Sequence, residues 1–99
     1  MPGSDFAQVI EELGNEPGVV EGTGFGKMPG LRVEGRIFAM LVEDELVVKL
    51  PAARCSELVE DGAAPFVIGR RQMREWVSVG RGASDWPGLA REALLFVRG

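Results

Sequence analysis

Arg70, Arg71, Arg74 and Trp76 fall within one short stretch, RRQMREW, and their types and spacing suit binding chemistry better than any other group in this chain. In an extended backbone alternate side chains share a face, so Arg74 and Trp76 project together, and Arg70 and Arg71 extend the patch from the preceding turn. Lys49, on a neighbouring strand, is expected to join them, with Arg32 as a further candidate. Guanidiniums beside an indole can hold phosphates and stack on a base, which is the chemistry of a nucleic-acid surface. The alternative, which the residues alone favour, is structural: Trp76 packs under a helix while the Arg and Lys stems cover the sheet edge.

Other groups offer less. Gly22, Gly24, Gly26 and Gly30 suggest a phosphate-cradling loop, but no Gly-Lys-Ser/Thr signature follows and the next element reads as a strand. They are read as a bulge or close-packing device, with Lys27 solvated. Cys55 falls on the apolar face of a helix, away from its neighbour Arg54, and is read as buried and structural. Glu43-Asp44-Glu45 lacks the ligand spacing of a calcium loop and reads as a solvated turn. The chain contains no histidine, the commonest general base and transition-metal ligand. A protein that is not an enzyme is therefore expected, with no catalytic, metal or cofactor-binding residue and no cofactor.

Ninety-nine residues suit one domain, 1–99, with a single core. An apolar fraction of 45% and a charged fraction of 26% are those of an ordinary globular protein. No stretch is long and apolar enough to span a bilayer, the N-terminus lacks a basic region followed by an apolar one, and the only cysteine is Cys55. A cytoplasmic location and no membrane partner are expected. The net charge of −4 opposes broad affinity for nucleic acid, but the charges are segregated. Residues 1–26 carry Asp5, Glu11, Glu12, Glu16 and Glu21 with no Lys or Arg, whereas residues 62–82 carry Arg70, Arg71, Arg74 and Arg81 against Glu75. A small basic surface on an acidic protein is one outcome; solvated structural charge is the other.

The elements that must position these residues follow from periodicity. Phe6, Val9, Ile10 and Leu13 recur on one helical face, with Ser4 or Asp5 to cap the start and Gly14 in a left-handed conformation at the end. A glycine-rich, weakly specified strand runs from Val19 to about Phe25, and Met28-Pro29-Gly30 reads as a bend. Leu31–Glu34, Arg36–Glu43 and Glu45–Leu50 read as strands, the middle one central in a sheet, with Glu34-Gly35 as a two-residue hairpin turn. A helix over Pro51–Asp61 buries Cys55, Leu58 and Val59, with Pro51 in its first turn. Pro65–Ile68 and Met73–Val79 are strands around a Gly69-Arg70-Arg71 turn, the latter with Met73, Glu75, Val77 and Val79 on one side. Ser84-Asp85 opens a last helix. The expected fold is α+β, an antiparallel sheet flanked by helices in the order α-β(4)-α-β(2)-α.

In that order, several short segments resemble the TfoX/Sxy N-terminal domain family. They are Pro17 to Val19, Gly24-Phe25-Gly26, Ile37-Phe38-Ala39, Val48-Lys49-Leu50-Pro51, Pro65-Phe66, Gly69-Arg70-x-x-Met73-x-x-Trp76-Val77 and Glu92-Ala93. The resemblance implies a small antiparallel α+β module. It also implies a link to regulation of DNA-uptake genes, although in the regulator itself this domain is accompanied by a second one. The function expected is a non-catalytic binding or regulatory module acting through protein–protein contacts, in transcriptional or competence regulation, with a homodimer as one form. The alternative is a nucleic-acid-binding protein using Lys49, Arg70, Arg71, Arg74 and Trp76 on a basic sheet face.

Overall fold

Tight turns set the architecture. In the computed structural model, which describes residues 6–23, 29–80 and 85–99, Glu34 and Gly35 (φ 53° and 78°) and Glu43 and Asp44 (φ 50° and 68°) each place two consecutive residues in the left-handed region. Such turns match the right-handed twist of the strands they join, so each returns the chain as an adjacent antiparallel neighbour. The result is a meander of β1 (Val19–Thr23), β2 (Pro29–Val33), β3 (Arg36–Val42) and β4 (Glu45–Lys49). Helix α2 (Ala52–Glu60) then carries the chain to β5 (Ala64–Ile68), which turns at Gly69-Arg70 into β6 (Arg71–Val79). Strand β6 pairs with β4, and β5 is left outside it, giving the order β1-β2-β3-β4-β6-β5. All five pairings are antiparallel. With α1 (Phe6–Leu13) and α3 (Trp86–Arg98) this is the expected α+β arrangement, with β3 inside the sheet and the glycine-containing β1 at one edge.

Alternation divides the sheet into two faces. Leu46, Val48, Val77 and Val79 face the helices and join Phe6, Val9, Leu13, Cys55, Leu58, Leu89, Ala90 and Leu94 in the larger core. A bulge between the pairs Leu31–Ala39 and Arg32–Ile37 places Phe38 as an extra residue, so Phe38 and Ala39 both enter this core. Trp86 at the start of α3 is fully buried, and its Nε1 donates to the carbonyl of Gly80 at 3.2 Å, which fixes the helix entrance. Three ion pairs lie on the helix surfaces: Arg54 bridges Glu57 of its own helix and Glu92 of α3, and Arg91 reaches Glu16. They are partly exposed and orient the helices more than they stabilise them.

Several boundaries differ from the sequence expectation. Pro29 and Gly30 belong to β2 and pair with Thr23 and Gly22; proline is accepted as the first residue of a strand. Gly14 is not left-handed: its N–H donates to the Ile10 carbonyl at 2.7 Å, and a Cβ there would lie 2.5 Å from that oxygen. The left-handed residue is Gly18 (φ 81°). Pro51 precedes the first helical residue of α2 rather than lying in its first turn. The readings placed on Ser4, Asp5, Ser84, Gly24, Gly26, Lys27 and the loop after Gly80 lie outside the described residues.

Trp86 anchors α3 to both core and backbone, so Trp86→Ala should cost about 3–5 kcal/mol in urea unfolding. Leu95→Ala, at an exposed position of the same helix, should change stability by no more than about 0.5 kcal/mol. Equal losses for both would contradict this account of the core.

Candidate anion-binding site

The site is built around an irregularity in β6. On one side β6 keeps register with β4, with Trp76 opposite Lys49 and Val77 opposite Val48. On the other, Pro65 pairs with Val77 but Phe66 pairs with Met73, so three β6 residues, Arg74 to Trp76, stand opposite no β5 residue. Strict alternation predicts Met73 on the side of Val77 and away from Trp76. The irregularity turns Met73 round. Met73, Phe66 and Trp76 thus meet in a second, smaller cluster with Met40, Val47, Ile37 and Val42 on the face away from the larger core. The Phe66 and Trp76 rings lie 6.4 Å apart at 53°, a tilted aromatic contact.

Trp76 is therefore a floor, only 6% exposed, and not a free stacking platform. It packs in the small cluster rather than under a helix. The Lys49 ammonium sits 5.7 Å from the Trp76 ring centroid and 3.8 Å from a Glu75 carboxylate oxygen. The cation–π contact is worth about 0.5–1 kcal/mol at a partly exposed position and the long ion pair adds little. Glu75 neutralises part of this charge, but Lys49 keeps a defined place at the rim.

Two open grooves share the wall formed by Lys49, Met73 and Trp76. The first adds Arg71, Gln72, Arg74 and Glu75 from β6; the second adds Arg32, Arg36 and Ile37 from the β2–β3 hairpin and Phe96 and Val97 from α3. Of the sequence candidates, Lys49, Arg71, Arg74 and Trp76 come together, and Arg32 joins them through the second groove. Arg70 stands in the β5–β6 turn and lines neither groove. Arg36 was missed. The signal available was its place directly after Glu34-Gly35, where a two-residue turn sets it beside Val33 and one strand from Lys49.

Among the described residues, Arg32, Arg36, Lys49, Arg71 and Arg74 thus line these grooves, against Glu75 as the one carboxylate. Arg70, Arg71 and Arg74 are exposed, and among the described residues none of the three is in an ion pair. Beyond them lies the outer edge of β5, a strand without a charged residue, whose Val67 and Ile68 are 52% and 45% exposed.

The remaining candidates lie apart from this surface. Cys55 is buried, and its S–H donates to the Leu50 carbonyl at 3.6 Å. Burial pushes its thiol above the ordinary value of 9.0. Glu43, Asp44 and Glu45 do not converge, and no group of three or more potential metal-ligating side chains forms among the described residues. No helix among these residues is long and apolar enough to cross a membrane.

A family model described as YjbR matches residues 15–95, most of the chain. This overturns the resemblance to the TfoX/Sxy N-terminal domain. The segments that suggested it, such as Pro17 to Val19 and Val48 to Pro51, are turn and strand-end signals that a meander followed by a proline-initiated helix requires of any sequence. They report turns and strand ends, which do not by themselves name a family. No curated protein and no solved structure matches.

Because the folded chain holds the Cys55 proton to higher pH than the unfolded chain, its contribution to stability is complete below pH 9.0 and is lost as pH rises through the raised value. Urea midpoints measured on both sides of that value should fall more steeply for the native sequence than for Cys55→Ala. Identical pH slopes would show that Cys55 is not held protonated by burial.

Proposed function

The chain belongs to the YjbR family, and we propose that it is a non-catalytic binding module whose β5–β6 hairpin takes an extended, acidic segment of a partner protein. The observation that carries this is the union of two features on one element. The outer edge of β5 is unpaired and apolar at Val67 and Ile68, and the adjoining turn and strand hold Arg70, Arg71 and Arg74 without ion-pair partners among the described residues. An exposed edge offers backbone donors and acceptors to an added strand, and alternate side chains of that strand then meet the flanking residues. Pro65 removes one donor, so Phe66 to Ile68 form the receptive part.

Charge selects the partner. A segment alternating β-branched residues with Asp or Glu would satisfy the apolar edge and the guanidiniums at once. The absence of histidine from the sequence and the burial of Cys55 support a role in binding rather than catalysis. The other edge strand, β1, carries the charged Glu21 in its middle, a feature that disfavours strand addition there.

Nucleic acid is the second candidate partner, supported by Arg70, Arg71 and Arg74, which have no carboxylate partner among the described residues. Against it stand the buried Trp76 ring, Glu75 within the patch and the net charge of −4.

Selection from a displayed peptide library should enrich alternating acidic and β-branched sequences. Arg71→Glu combined with Arg74→Glu should weaken binding of the selected peptides by about tenfold or more. Unenriched sequences, or affinity unchanged by charge reversal, would reject the proposal. Titration with duplex DNA at low salt tests the second candidate: tight binding that falls steeply with salt would favour it, and the absence of binding would remove it.

A further inference from the structure

We propose that the second groove, between the β2–β3 hairpin and the end of α3, is a binding site for a small amphipathic anion: one carboxylate or phosphate head on an apolar body. Its volume is about 650 Å³, within the range of small-molecule sites. Its lining combines two chemistries. Ile37, Met73, Trp76 and Phe96 supply apolar surface, and Arg32, Arg36 and Lys49 supply cations. No carboxylate is among the described lining residues, although Asp and Glu outnumber Lys and Arg in the chain by 15 to 11.

Each wall has a fold-level cause. The Glu34-Gly35 turn brings Arg36 back beside β2, where Arg32 stands opposite Ile37 on the face away from the larger core. The Lys49 ammonium is placed beside the Trp76 ring across the β4–β6 pair. Phe96 and Val97 close the far side from the last turn of α3, and neither belongs to the β5–β6 hairpin. Apolar contact and charge-assisted hydrogen bonds within one groove select a ligand that carries both an apolar body and an anionic head. A fully hydrated inorganic anion would leave the apolar wall unused. A neutral hydrocarbon would gain nothing from the positive charge of Arg32, Arg36 and Lys49.

The probe is 8-anilinonaphthalene-1-sulfonate, an aromatic body with one anionic head, added to the full chain and followed by its fluorescence. Saturable enhancement at one site per chain is expected, with displacement by decanoate and by phenyl phosphate and much weaker displacement by inorganic phosphate. Arg36→Glu, at an exposed turn-flanking position, should raise the dissociation constant about tenfold with an unchanged thermal melt. Arg36→Gln with Lys49→Gln should do the same, so one poorly folded variant does not decide the matter. Arg91→Gln, on the α3 surface and lining neither groove, should leave probe binding unchanged. The inference is overturned by non-saturable fluorescence, by affinity unchanged from the native sequence in both groove variants, or by inorganic phosphate displacing the probe as well as decanoate does. Preferential displacement by decanoate or by phenyl phosphate then separates a carboxylate ligand from a phosphate one.

Discussion

The offset of β6 between its two neighbours is the constraint on which the binding surface depends. Strand β6 must place Val77 and Val79 toward the helices to complete the larger core, and its register with β4 follows from that requirement. Strand β5 pairs with β6 in two registers, before and after the Pro65–Phe66 step. The three unmatched residues absorb the difference and bring Met73 round to Phe66 and Trp76. Without the offset the outer half of the hairpin would have its apolar and charged sides exchanged. The small cluster would lose Met73, and both grooves would lose a shared wall.

Electrostatics acts on this geometry without creating it. The chain is acidic overall, yet Arg32, Arg36, Lys49, Arg71 and Arg74, from β2, β3, β4 and β6, line the two neighbouring grooves. Glu75 and Trp76 hold Lys49, while the described ion pairs of Arg54 and Arg91 lie on helix surfaces. Arg54 is held more firmly protonated by its hydrogen bonds to Glu92 and Glu57, which marks it as a fastener between α2 and α3. The hairpin arginines have no such role among the described residues. That contrast separates charges that build the fold from charges that face outward.

Much of this architecture is legible in the residues. Glu34-Gly35 announces its turn, and the paired apolar faces of Ile37 to Val42 announce an interior strand, because local backbone preference and burial agree there. The placement of Met73 was not legible: alternation predicts one side, and a mid-strand irregularity that depends on a partner strand reverses it. The burial of Trp76 likewise depends on Met40 and Val47, which lie far away in sequence. Arg36 escaped notice because a single arginine after a turn carries no pattern. Family membership was misread for a related reason, since turn signals report where the chain reverses and not which family it belongs to.

The central claim is that the free edge of β5 and its adjoining arginines form one receptive surface. Amide chemical-shift mapping of the full chain during titration with a peptide of alternating Glu and Val tests it most directly. The account predicts the largest shifts at Phe66 to Ile68 and at Arg70 to Arg74, with slowed amide exchange along β5. Shifts centred instead on α1 and α3, or no shifts at saturating peptide, would contradict it.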